Sequence, residues 1–209
     1  MRYDVYMTHI LVETAHTLGA TLVQYPAGSI VVIPGETPKD CFVIEKGSIR
    51  QYDIRDNGTE LTLNIYKEGS VLTLPWLFHS SPNLHFFQCI SDCVLLRTPR
   101  LKLLQEFKKS PELSFETLSR VANGLDGVLN RLSAHSSTGA AQMVITELNI
   151  EAARFGRPHP GGTFVRIRVQ DLANRTGLAR ETVSRTLTDL ISKGLILRVT
   201  GGYLLQIHI

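Results

Sequence analysis

Five side chains between positions 180 and 188 are the ones best placed to do chemistry on a partner. Arg180, Glu181, Ser184, Arg185 and Thr188 stand in RETVSRTLT, and at roughly 100° per residue they fall within one arc of about 140° on a helix. Val183, Leu187, Leu190 and Ile191 take the other side, where an apolar stripe can pack on the body of a domain. Such a face suits the major groove of DNA. Arginine grips O6 and N7 of guanine with two hydrogen bonds, and glutamate accepts from the amino group of cytosine. The plainer reading is a solvated face on an ordinary core helix, and spacing alone does not choose between the two.

The elements that must hold this face choose. Val169 to Ile196 reads as two short helices joined by a turn at Thr176-Gly177-Leu178. After Gly194, LILRVTGGYLLQIHI sets two apolar runs around Gly201-Gly202, the pattern of a tight hairpin. Upstream, FVRIRVQ (164–170) alternates apolar and basic residues like a half-buried strand. Helix-turn-helix followed by a hairpin is a winged helix. Charge points the same way. Residues 154–209 carry nine Lys and Arg against three Asp and Glu, so the net +3 of the chain hides a basic C-terminal quarter beside a slightly acidic remainder. A concentrated basic patch is a mark of nucleic-acid contact.

GLARETVSRTLTDLISKGLI resembles the recognition region of the Crp–Fnr family of bacterial transcription regulators, relatives of the cyclic-AMP receptor protein. Arg180, Glu181 and Arg185 align with the base-reading trio of the cyclic-AMP receptor branch, and Glu181, Ser184 and Arg185 also match the Fnr branch. The resemblance implies an inverted repeat of half-sites with a G-A core, TGTGA- or TTGAT-like. It makes Arg180, Glu181, Ser184 and Arg185 the base readers. Thr182, Thr188 and Arg168, with the wing, are the expected phosphate contacts. Val169 and Ala179 depart from the family, which usually has Ser or Thr at these helix N-caps; a lost cap costs ~1 kcal/mol.

Composition fits this frame. With 43% hydrophobic and 20% charged residues the chain has the make-up of a soluble globular protein. No apolar run approaches the ~20 residues that span a bilayer, and MRYDVYMTHILVETAHTLG lacks the basic start and apolar core of a signal peptide. Cys41, Cys89 and Cys93 fit reduced thiols better than a disulfide framework, which gives a cytoplasmic expectation. No G-x-S-x-G elbow and no P-loop occurs, so no enzyme is expected.

Residues 20 to about 98 read as short strands punctuated by glycines, with turn signals at Lys46-Gly47, Asp56-Asn57-Gly58 and Glu68-Gly69. Their spacing is similar to the β-roll of cyclic-nucleotide-binding domains. In that family a Gly-Glu pair holds the ribose and an Arg-Ser pair holds the cyclic phosphate. Here Thr73-Leu74 and Leu84-His85 stand in those places. A buried phosphate needs a fixed cation and donors, and neither leucine supplies them. Cyclic AMP is therefore not expected to bind in the usual mode. Leu74, Trp76, Leu84 and His85 are the expected remnant of an effector pocket, made apolar by its neighbours or simply filled as core.

Other sensor chemistries lack support in the residues. An iron–sulfur cluster normally takes four thiolates, and only three cysteines exist, none before Cys41. Cys89 and Cys93 flank a turn at Ser91-Asp92 and are weighed as a redox pair or as inert buried thiols. His79 and His85 are weighed as haem or metal ligands, or as plain structural residues; a cupin-like metal enzyme would need a denser cluster. No cofactor and no metal is expected.

From Pro111, PELSFETLSRVANGLDGVLNRLSAHS places Leu118, Val121, Leu125, Val128 and Leu132 at spacings of 3, 4, 3 and 4, a short coiled-coil seam. Gly124 and Gly127 interrupt it at ~1 kcal/mol each relative to alanine and point to close helix approach. The sequence-based architecture is α+β: a jelly-roll β-roll over 1–110, a long dimerisation helix over 111–137, and a winged helix-turn-helix over 138–209. Ser136 to Gly139 is the expected hinge, AAQMVITELNIEAARFG the first helix of the last domain, and RPHPGG a loop. The expected partners are double-stranded DNA, a second copy of the chain and, as a candidate, RNA polymerase. The effector is unknown: a different small ligand, a redox or haem signal, and no effector at all stay open.

Overall fold

The computed structural model describes residues 3–72, 74–78, 81–136 and 139–205. They fall into two compact units, 3–54 with 62–121, and 55–61 with 122–205. Thr73, His79, Ser137 and Thr138 lie outside the described residues.

The first unit opens with a helix α1 (Tyr3–Thr17), which the sequence reading did not anticipate. Seven strands follow: β1 (Thr21–Tyr25), β2 (Ile30–Val32), β3 (Asp40–Lys46), β4 (Ile49–Ile54), β5 (Glu60–Tyr66), β6 (Phe86–Cys89) and β7 (Cys93–Pro99). They make two sheets in the orders β1-β7-β3 and β2-β6-β4-β5. Thr21 pairs with Arg97, Cys41 with Thr98 and Ile49 with Cys89, all antiparallel.

Alternation along β3 and β7 feeds two cores at once, because successive side chains leave opposite faces of a strand. Ile44, Cys93 and Leu95 meet Val32, Ile49, Phe87 and Cys89 inside the roll. Cys41, Val43 and Leu96 face outward, onto Leu11 and Ala15 of α1 and onto Leu103 and Phe107 of a helix α3 (Arg100–Lys109), also unanticipated. The turn between β3 and β4 needs glycine at position 47. Its φ is 95°, and a Cβ there would lie 2.5 Å from the Asp92 carbonyl oxygen. A one-turn-and-a-half helix α2 (Leu74–Phe78) bridges β5 and β6 and drops Trp76 and Leu77 into the cores.

Ser110 ends α3 and starts the long helix α4 (Pro111–Ser136): its Oγ accepts from the Leu113 N–H at 3.1 Å, with proline at the first helical position. The helix runs without a break through Gly124 and Gly127. It also includes Ser136, the first residue of the expected hinge.

The second unit contains α5 (Ala140–Phe155), a hairpin of β8 (Arg157–His159) and β9 (Gly162–Val165), α6 (Val169–Thr176), α7 (Arg180–Ser192), β10 (Ile196–Val199) and β11 (Gly202–Leu205). Its sheet order is β10-β11-β9-β8. Two sequence-based expectations change here. RPHPGG is the β8–β9 hairpin rather than a loop, with Pro158 paired to Thr163 on the sheet edge, where a missing N–H is tolerated. The strand expected over 164–170 ends at Val165, and Val169 and Gln170 are helical. The cause is local: the Asp171 carboxylate accepts from the Arg168 backbone N–H at 3.4 Å, which starts a helix where the alternation suggested extended chain.

One apolar core joins the three helices and the sheet: Val144 and Leu148 of α5, Leu172 and Ala173 of α6, Val183, Leu187 and Leu190 of α7, and Val165, Ile196, Tyr203 and Leu205 of the strands. A buried ion pair crosses it. Arg175 Nη1 donates to Glu151 Oε2 at 2.6 Å, with side chains only 11% and 9% exposed. Removing the cation leaves a buried carboxylate without its partner, the costly half of such a change. Arg175→Met is expected to destabilise the protein by ~3 kcal/mol, read as a lower urea midpoint.

All three cysteines are free and buried. Burial, with a hydrogen bond to Cys93, pushes the Cys89 thiol up from 9.0 to about 12. A raised thiol value favours the folded protein below about pH 9, and that contribution is lost as pH climbs towards 12. The native protein is therefore expected to show no fast reaction with Ellman's reagent at pH 8, and all three thiols to react once it is unfolded in guanidinium.

Candidate nucleic-acid interface

α7 divides into two faces as its sequence requires. Val183, Thr186, Leu187 and Leu190 are buried in the core of the second unit, and Ile191 packs partly against it. Arg180, Glu181, Ser184, Arg185 and Thr188 are all exposed, on one side of the helix. Arg180, Glu181 and Arg185 form no ion pair among the described residues. Thr182 is half-buried, and its carbonyl accepts from the Thr186 hydroxyl at 2.9 Å. The Thr188 hydroxyl donates to the Ser184 carbonyl at 3.1 Å, so its oxygen stays free to accept while its proton is engaged.

The turn that aims α7 is tied from within. Gly177 closes α6 in the left-handed region at φ 69°, and its N–H donates to the Ala173 carbonyl. Thr176 is buried; its hydroxyl donates to Leu172 O at 2.7 Å and accepts from the Leu178 N–H at 3.4 Å. Ala179 is the N-cap of α7 and makes no side-chain cap bond, as its residue type dictates. The missing cap at α6 falls at Arg168, not Val169, which is the first helical residue. The wing is the hairpin of β10 and β11, with Ile196 paired to Leu205 and Val199 to Gly202. Arg198 on the wing and Arg166 before α6 are exposed.

Arg168 is committed elsewhere. Its guanidinium grips Asp171 with two bonds, Nε at 2.9 Å and Nη2 at 3.0 Å, and that carboxylate raises its pKa further. The side chain remains 83% exposed, so it sits at the surface as part of a neutralised pair rather than as an unpaired cation.

The four residues of the expected effector pocket stand in different surroundings. Trp76 is core: its ring stands edge-on to Phe87 at 6.0 Å, and Nε1 donates to Ser81 O at 2.8 Å. Leu84 is 74% exposed. Leu74 lines a cavity with α3 and α4. His85 Nδ1 lies 2.7 Å from Asp53 Oδ1. That carboxylate was missed in the sequence, since 32 positions separate the two and no local spacing connects them. Asn83 was missed too. It is buried, donates to the carbonyls of Ile33 and His85, and accepts from the His85 N–H, fixing the turn that presents the histidine. Among the described residues no group of three or more His, Cys, Asp or Glu is placed to hold a metal ion. No helix among them is long and apolar enough to cross a membrane.

Along α4, Leu118, Val121, Leu125, Val128 and Leu132 are 47–65% exposed, and Leu129 widens the stripe. A Cβ at Gly124 would meet nothing within 4 Å.

Comparison with known proteins matches these features to two families in the expected order. Residues 22–110 match the cyclic nucleotide-binding domain, and residues 143–208 match the Crp-like helix-turn-helix domain. The global nitrogen regulator of Nostoc sp. is 25% identical over 172 residues, covering 79% of this chain and 76% of that protein. The cAMP-activated global transcriptional regulator CRP of Haemophilus influenzae is 24% identical over 175 residues, covering 83% and 78%. Among solved structures, the c-di-GMP responsive global regulator CLP of Xanthomonas campestris superposes with a TM-score of 0.77 at 22% identity, over 94% of this chain and 98% of that one. The β-roll, the long helix and the winged helix-turn-helix, with these two domain matches, make the chain a member of the Crp–Fnr family of transcription regulators.

Proposed function

We propose that the protein is a homodimeric, sequence-specific DNA-binding transcription regulator that reads inverted-repeat half-sites with a G-A core, TGTGA- or TTGAT-like. The observation that carries this reading is the exposed, unpaired set Arg180, Glu181 and Arg185 on a helix whose opposite face is locked in a core. Fixed donors and an acceptor on a rigid helix are what base-edge recognition needs. Arg180, Glu181, Ser184 and Arg185 take the bases. Thr182 and Thr188 are assigned to phosphates, Thr188 by turning its hydroxyl proton from the Ser184 carbonyl to a phosphate oxygen, helped by the exposed Arg166 and Arg198. Arg168 contributes there only by sharing its guanidinium with Asp171.

The α4 stripe is the dimer seam in this reading, with Leu118, Val121, Leu125, Val128 and Leu132 covered by the same residues of a second copy. Its exposed apolar side chains and the open space at Gly124 support that role. A two-fold pair of readers spans half-sites one helical turn apart, ~34 Å. RNA polymerase is a candidate partner once the dimer is on DNA.

Cyclic AMP in the usual mode does not fit this roll. Trp76 and Phe87 occupy its interior, no arginine stands at position 84, and His85 is held by Asp53. The family matches concern regulators, and the reading includes no catalysis.

Arg180→Ala and Arg185→Ala test the reader. Each is expected to weaken binding to an inverted-repeat duplex by ~1–3 kcal/mol, roughly 5- to 150-fold at fixed salt, while relaxing the preference at one base position. Unchanged affinity and unchanged preference in both variants would reject the assignment.

A further inference from the structure

The first unit contains a cavity of about 560 Å³ that shares only Leu118 and Val121 with the residues assigned above to DNA and the dimer seam. It lies among α2, α3 and the first turns of α4, on the outer side of the roll. Its walls are Leu74 and Phe78 from α2, Leu104 and Phe107 from α3, and Leu118 and Val121 from α4. The volume falls in the range of small-molecule sites, roughly 300–1,000 Å³.

Two polar features break this apolar lining. Thr117 borders the cavity, is 5% exposed, and its hydroxyl has no hydrogen-bond partner among the described residues. A buried hydroxyl without a partner costs stability, and native proteins seldom leave one so. Ser114, one turn earlier, shows the contrast: its hydroxyl donates to Phe107 O at 2.6 Å. Lys108 stands on the cavity wall, exposed, with no ion pair among the described residues.

We propose that this cavity is an effector site for a small amphipathic anion: an apolar body between α2, α3 and α4, a hydrogen-bonding group against Thr117, and a negative charge near Lys108. Nucleotides do not fit, because the lining offers one cation and no set of donors for a phosphate. An apolar carboxylate does. Leu118 and Val121 belong both to this lining and to the exposed stripe of α4, so an occupant acts directly on the helix assigned above to the dimer seam. That coupling rests on the seam reading; the binding itself does not.

The test is a fluorescence titration of the full chain with 11-(dansylamino)undecanoate, followed by displacement with decanoate, without DNA. One saturable site per chain is expected. Leu104→Trp, which fills the cavity, is expected to weaken binding more than tenfold. Thr117→Val is expected to weaken it about 3- to 10-fold and, by removing the unpartnered hydroxyl, to raise the melting temperature. A role for Thr117 in folding alone would move the two together. Lys108→Glu changes an exposed position, leaves the fold intact, and is expected to weaken binding several-fold, more at low salt than at high. Absence of saturable binding in the unaltered protein overturns the proposal. So does equal affinity in all three variants, or binding that vanishes as the chain self-associates, which would mean that a second copy fills the cavity. None of these readouts involves DNA, so the reader assignment stands or falls separately.

Discussion

A helix can offer charged side chains to a partner in a fixed orientation only if its other face is immobilised. α7 meets that condition through Val183, Thr186, Leu187 and Leu190, which close the core of the second unit with α5, α6 and the wing sheet. Everything on the reading face inherits its direction from that burial. Large apolar side chains here cost ~2–5 kcal/mol each to truncate. The buried Glu151–Arg175 pair adds direction rather than area, since it ties α6 to α5 at one point and so sets the angle from which the turn at Gly177 launches α7. The wing then follows at once, because β10 begins four residues after α7 ends and shares its core through Ile196.

The first unit reached a different balance. Its roll matches the cyclic nucleotide-binding domain and is built of two sheets with the short helix α2, and Trp76, Phe87 and their aliphatic neighbours pack as one of its cores. The polar groups that remain near this region, Asn83 and the His85–Asp53 pair, are spent on holding a turn. A cavity lies on the outer side of α2, against α3 and α4. On the effector-site proposal, an occupant of this cavity meets the long helix through Leu118 and Val121.

What could be read in the sequence was what depends on neighbours in the chain. The two helices of the reader, the glycine between them and the wing hairpin all have local signatures, and each stands where those signatures put it. The stripe of α4 was legible for the same reason. The strand read over 164–170 ran too far, into the helix read from Val169, because the alternation of Val165, Ile167 and Val169 imitates extended chain, whereas a single carboxylate three residues past Arg168 decides for helix. α1 and α3 escaped because their apolar residues serve a core built by β3 and β7, distant in sequence. Asp53 beside His85, Glu151 beside Arg175 and the cavity of three helices are products of tertiary assembly, which no spacing rule encodes.

The central claim, a reader of inverted repeats that needs no cyclic AMP, meets its most direct test in fluorescence anisotropy. Duplexes with inverted TGTGA or TTGAT half-sites and a scrambled control would be titrated at one salt concentration, each with and without cyclic AMP. The account predicts at least ~1,000-fold preference for one of the two repeats over the control, the same with and without the nucleotide. No preference for either repeat, or one that emerges only when cyclic AMP is added, would contradict it.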